Sequence, residues 1–237
     1  AMMNLQPWRK WLLVLAATGM TLSSTLVCAA QWVVVAAEQT PLKAGSLLDG
    51  AKPIKLAAGA QLTLLAENGK TLKLTGPYAG VPEGGASQGT DADNLQAIAS
   101  LLQGHRQSVS TLGVMRGFEE GEGGPPPIEV DTSGVRCLSS DPVRFWRDRI
   151  AKTEEVKLVD DQGQLIATFT WPARQAELPI PASHFVDGNR YRLQRGDREI
   201  RLLVHKAPSA ADNPAALAAW MARKGCEGQA MALLQGL

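Results

Sequence analysis

The sequence predicts a mainly β protein: two small β-rich modules, the second sandwich-like, with a linking helix and a C-terminal short helical pair. Three observations carry this. Short apolar runs of period two recur through residues 31–78 and 128–206, and Asn-Gly, Asp-Gly or Asp-Gln-Gly turns separate many of them. In the second region the runs are spaced as in antiparallel sandwiches. Helical periodicity occurs only over residues 94–104 and after Pro208.

Residues 1–30 are a leader. Arg9 and Lys10 precede the apolar run Trp11-Leu12-Leu13-Val14-Leu15-Ala16-Ala17, and Ala29-Ala30 closes the segment with small residues. That order is the layout of a secretory signal peptide. Cleavage near Ala30, an uncleaved anchor and acylation at Cys28 are the three readings of it. Each puts residues 31–237 outside the cytoplasm, in the periplasm or secreted. The whole chain carries 24 basic and 23 acidic residues, and Arg9 and Lys10 belong to the leader. The near-neutral remainder gives no electrostatic reason to expect nucleic acid as a partner. Membrane contact is expected only through an uncleaved or lipidated N-terminus.

The first module spans 31–78. Gln31-Trp32-Val33-Val34-Val35-Ala36-Ala37 predicts its first strand, residues 41–50 a connection, and Ile54-Lys55-Leu56 a brief strand. Residues 61–66 and 70–75 flank Glu67-Asn68-Gly69, and Asn-Gly suits a type I′ hairpin turn. The order over residues 45–76 is glycine, short strand, Gly-Ala step, apolar strand, Asn-Gly, alternating strand, Gly-Pro. This stretch resembles the periplasmic β-domain of FecR-type regulators. The resemblance implies a secreted β-module that docks on another envelope protein, and no chemistry.

Residues 79–127 read as linkers around one amphipathic helix, 94–104. Leu95, Ile98, Leu101 and Leu102 share its face, Asp91 and Asp93 favour its N-terminus, and Gly104 is expected to end it. Residues 113–127, with Glu119, Glu120, Glu122 and three consecutive prolines, read as an extended spacer.

Strands return over 128–206. They are expected at 128–131, 143–147, 155–159, 164–171, 191–193 and 200–204. The run Asp187-Gly188-Asn189-Arg190-Tyr191-Arg192-Leu193 is similar to a late strand of bacterial immunoglobulin-like or fibronectin-like modules, which implies a fold and no function. Arg190, Arg192, Arg195, Arg198 and Arg201 interleave with Asp187, Asp197 and Glu199, so a solvated face with cross-strand ion pairs is expected. Trp32, Trp146, Trp171 and Trp220 are expected as core anchors rather than a carbohydrate platform. Residues 207–237 form the helical pair: Asn213 caps, Pro214 opens the first helix, and Lys224-Gly225 ends it.

Few residues point to catalysis. Gly85-Ala86-Ser87-Gln88-Gly89 matches a nucleophile elbow but lacks the strand before it and the helix immediately after. His105, His184 and His205 stand at no metal-ligand spacing, and Asp91-x-Asp93-Asn94 lacks the glycine and distal glutamate of a calcium loop. Glu119, Glu120 and Glu122 sit on too loose a mount for paired carboxylates. No cofactor or metal is expected. Cys28 leaves with a cleaved leader, and Cys137 and Cys226 then remain in an oxidising compartment. A disulfide between them is expected, pinning the helical pair to the second module. The function expected is a non-enzymatic interaction or structural module of a bacterial envelope, with an envelope protein as partner. The alternative is a periplasmic hydrolase or carbohydrate-binding domain.

Overall fold

Strand outweighs helix about two to one among the described residues of the computed structural model, as the turn-punctuated short runs predict. The structure describes residues 30–84, 92–108, 125, 127–148, 152–208 and 213–237.

The N-terminal half is built on β1 (Gln31–Glu38), which lies between β2 (Leu47–Asp49) and β4 (Gln61–Ala66) in a sheet completed by β5 (Thr71–Thr75). Successive side chains point to opposite faces. Trp32 and Val34, with Leu62, Leu64 and Ala66 of β4, pack on a two-stranded ribbon of β3 (Ile54–Leu56) and β6 (Tyr78–Gly80). Val33 and Val35, with Leu65, face the helix α1 (Ala92–Ser108). A strand covered on both sides has no polar face, which is why β1 reads as an unbroken valine run.

Four strands have no clear signal in the sequence: β2, β6, β8 (Gly134–Leu138) and β12 (Glu177–Ile180). All but β8 have four residues or fewer, and each exists through a partner distant in sequence or through a covered edge. The hairpin lies where expected, but its turn differs. Only Gly69 has positive φ, at 80°, and the Gly69 N–H donates to the Ala66 carbonyl at 2.9 Å. The turn is therefore type I closed by a left-handed glycine, not type I′. A side chain at 69 would also strike Asn213, 2.2 Å from its Oδ1. The helix differs too. It begins at Ala92 and passes through Gly104 to Ser108. Gly104 has no neighbour within 4 Å of the place a Cβ would occupy, so it weakens the helix without ending it.

The second half is a sandwich. One sheet has the order β11 (Leu165–Trp171), β10 (Glu154–Asp160), β13 (Arg190–Arg195), β14 (Arg198–Lys206), β8; the other is β12, β9 (Val143–Trp146), β7 (Ile128–Glu129). Val143, Phe145, Val156, Leu158, Trp171, Ile180, Leu193 and Val204 are among the side chains between them. Trp32 and Trp171 are fully buried, as anchors should be. Trp146 and Trp220 are only half-buried. Alternation along β9 turns Val143 and Phe145 inward and leaves Trp146 beside Arg144 on the other face.

The C-terminal pair, α2 (Pro214–Arg223) and α3 (Glu227–Gln235), joins the two halves. Asn213 caps α2 through its side chain, which accepts from the Ala215 N–H at 2.8 Å. Ala215, Ala218 and Ala219 let α2 approach α1 closely. Leu217, Met221 and Ala230 pack instead around Cys137 and Cys226 at the edge of the sandwich. Those two cysteines are bonded, with Cα atoms 6.0 Å apart. Beside the bond, Gln229 accepts from the Cys137 N–H at 2.9 Å and donates to the Cys137 carbonyl at 2.8 Å, covering the outer edge of β8. No helix among the described residues is long and apolar enough to cross a membrane.

Candidate functional site

The outer face of the five-stranded sheet follows from alternation along two strands. On β13, Tyr191, Leu193 and Arg195 turn inward, and Arg190, Arg192 and Gln194 turn outward. On β14, Ile200, Leu202 and Val204 turn inward, and Glu199, Arg201 and Leu203 outward. The antiparallel register sets Arg190 opposite Leu203 and Arg192 opposite Arg201. The parallel β8 brings Val135 beside Leu203. The result is an open groove of about 550 Å³, edged by arginines, with Val135 and Leu203 contributing apolar surface and Asp161 at its margin. That volume falls within the range of pockets that hold small ligands or short segments.

The arginines are unequally neutralised. Glu199 lies 3.2 Å from the Arg201 Nε and 3.9 Å from an Arg192 Nη. The Arg192 pair is a cross-strand ion pair of the kind expected from the interleaved acids, and the Arg201 pair lies within β14. They also relieve the repulsion of two like charges placed directly opposite each other. Arg190 makes no ion pair among the described residues, and the Arg192 Nε is buried with no acceptor. The groove therefore retains unused donors.

Arg195 departs from the expected solvated face. It is 4% exposed and points into the sandwich, where it and the fully buried Arg147 lie against the Trp171 ring, at 5.2 and 4.7 Å from its centroid. Glu154 pairs with both, at 3.0 Å from Arg147 and 2.9 Å from Arg195. Asp131 lies 2.8 Å from Arg195 and 3.3 Å from Arg198. The Trp171 Nε1 donates to the Gln175 carbonyl at 2.9 Å. Burial pushes the Asp131 carboxyl up, but the Asp148 N–H and the Arg195 and Arg198 charges outweigh it and hold the group below its ordinary range. At Glu154 burial likewise opposes, and Arg195 with Arg147 wins, so this carboxyl is lowered too. The cluster fixes the end of β13, and so the position of Arg190 and Arg192 along the groove. Its sequence signal was present in Arg195, but the pairing alternation that turns it inward depends on register.

The other residues singled out in the sequence are dispersed. His105 is exposed; His184 packs edge-on against Phe169 at 5.6 Å; His205 lies 3.6 Å from Asp187. The Lys206 N–H, and the nearby His205, lower the Asp187 carboxyl. Asp93 lies in the first turn of α1, and Asn94 accepts from Arg223 at 3.0 Å. Among the described residues no His, Cys, Asp and Glu side chains gather as a metal-holding group. The Gly-x-Ser-x-Gly match at 85–89, Asp91, and Glu119, Glu120 and Glu122 lie outside the described residues, as does the segment expected to be a leader, with Cys28.

No protein-family model matches the chain, and no curated protein is detectably similar to it.

Proposed function

We propose that the protein is an exported, non-enzymatic interaction module of a bacterial envelope, and that the arginine groove receives an acidic segment of its partner. The observation that carries this reading is the groove itself: the Arg190 guanidinium, which makes no ion pair among the described residues, and the unused Nε donor of Arg192, beside apolar Val135 and Leu203 on the outer face of the sheet. Guanidinium forks match carboxylates bidentately, and an apolar floor favours a polypeptide over a bare anion. Among the described residues the titrating groups with shifted acidity, Asp131, Glu154, Asp187 and Arg136, lie outside the groove, which fits binding better than acid–base catalysis. The Cys137–Cys226 bond agrees with an oxidising compartment. The FecR-like resemblance of the first module and the immunoglobulin-like resemblance of the second stand within this reading as docking scaffolds.

The test is affinity purification of tagged protein from an envelope fraction, wild type against Arg190→Glu/Arg201→Glu. The partner should be recovered with the wild type and lost with the variant, and its recovery should fall as salt rises. Equal recovery by both proteins refutes the groove as the docking site. N-terminal sequencing of the same material should begin near Gln31; a start at Met2 or Met3 refutes cleavage.

A further inference from the structure

Sheet edges in this protein are guarded in most places. Strands β2, β3 and β6 have three residues each, and β7 has two. Lys73 lies on β5, and Glu177 and Pro179 lie on β12. Gln229 covers β8. Short edges, lysine, proline and covering groups are the usual defences of an exposed ladder. Among the described residues, strand β11 has none of these. Its seven residues, Leu-Ile-Ala-Thr-Phe-Thr-Trp, include no charge, proline or glycine, and β10 is its only strand partner among the described residues. Leu165 is 59% exposed and Ile166 40%. A register shift opposite Leu158 and Val159 bends the first residues of β11, and the ladder from Ala167 to Trp171 is regular.

We propose that β11 pairs with the β11 of a second copy of this chain, antiparallel about a two-fold axis, so that the two five-stranded sheets become continuous. Self-pairing of this strand sets no like charges opposite each other, and centred near Thr168 it pairs threonine with threonine, a favourable cross-strand combination. The ends of the strand select an antiparallel copy over other occupants. The turn entering β11 carries Asp161, and the segment leaving it carries Arg174. Both are exposed, and neither makes an ion pair among the described residues. They are separated by the length of the strand, roughly 20 Å at about 3.4 Å per residue. An antiparallel partner places its Arg174 segment beside the Asp161 turn and its Asp161 turn beside the Arg174 segment. Two-fold symmetry makes both contacts at once, as an isologous interface requires. The inference does not rest on the groove's proposed role: the edge is β11 and the groove is lined by β8, β13 and β14, with Asp161 common to both.

Sedimentation velocity of the exported protein over about 1–500 μM reads the association directly. The wild type should dimerise with rising concentration. Thr168→Lys puts a charge on an exposed position of the edge, so it should keep the wild-type melting temperature and stay monomeric. Asp161→Arg and Arg174→Asp should each weaken the dimer at least tenfold, and the two together should restore it, since the exchanged charges again meet across the axis. A wild type that stays monomeric at about 500 μM overturns the proposal, and so does a Thr168→Lys protein that dimerises as the wild type does. A double variant no better than the single ones overturns the antiparallel arrangement. Asp161 also borders the groove, where an added arginine should strengthen capture of an acidic partner. Opposite signs in the two assays therefore separate the edge from the groove.

Discussion

Removing the Cys137–Cys226 bond should cost several kcal/mol of stability, nearly all of it through the denatured state. The bond closes a loop of sequence separation 89. The chain-entropy relation, −2.1 − 1.5R ln n in cal/mol/K, then gives about 4.6 kcal/mol of denatured-state entropy at 25 °C. The native side of the balance is well prepared for the bond. Cys137 and Cys226 are buried among Leu217, Met221 and Ala230, and Gln229 already holds α3 to the β8 backbone through two hydrogen bonds. The loss therefore appears as a gain in denatured-state freedom rather than a collapse of the native contacts. The perturbation is the double variant Cys137→Ala/Cys226→Ala, with reductant-treated wild type as its parallel. Urea unfolding, followed by far-UV circular dichroism and by the fluorescence of buried Trp32 and Trp171, reports on both halves at once. With a slope of about 2–3 kcal/mol/M, the midpoint should fall by about 1.5–2.3 M. Free thiols at both positions in unreduced exported protein, or a midpoint within about 0.3 M of wild type, would refute the argument that the bond constrains this loop.

Trp171→Ala should lose about 3–5 kcal/mol, because a fully buried ring is removed and the Arg147 and Arg195 guanidinium groups lose the face they stack on. Trp146→Ala, at a half-buried position, should lose less than half as much; equal losses by denaturant unfolding would contradict the inward and outward assignment of β9. Asp131 and Glu154 have folded pKa values below their unfolded ones, so their contribution to stability is full above the unfolded values near pH 4 and is lost as pH falls through the lowered folded values. Urea titrations from pH 7 to pH 3 should show a plateau and then a decline, and Glu154→Gln should be less stable at pH 7 with a shallower decline. A Glu154→Gln protein whose stability falls as steeply as the wild type's would show that this carboxylate does not carry the acid sensitivity.

Much of the architecture was legible because it depends on local chemistry. The hairpin of β4 and β5, the strands β1, β3, β9, β10, β11, β13 and β14, and the capping of α2 by Asn213 with Pro214 behind it are each written in a few adjacent residues. Where the reading fell short, the deciding term was not local. The turn at Gly69 depends on how β4 and β5 register and on Asn213 arriving from the far end of the chain. The helix continues through Gly104 because packing of Leu95, Ile98 and Leu102 outweighs one poor helix former. The groove could not be read at all from spacing. Arg190, Arg192 and Arg201 were visible as a basic cluster, but their meeting beside Val135 and Leu203 requires the antiparallel register of β13 on β14 and the parallel arrival of β8. Arg195, three residues from Arg192 and chemically the same, falls on the opposite face of β13 and turned inward onto Trp171. The sequence by itself determined the β-rich class and the run of strands, since each follows from residue type and period, and it pointed to Cys137 and Cys226 as a pair, which the 6.0 Å Cα separation in the fold then allows. Only the tertiary structure decided which arginines face solvent, which edge is left open and what the C-terminal helices bridge, because burial and strand pairing are settled by partners that lie tens of residues away in the chain.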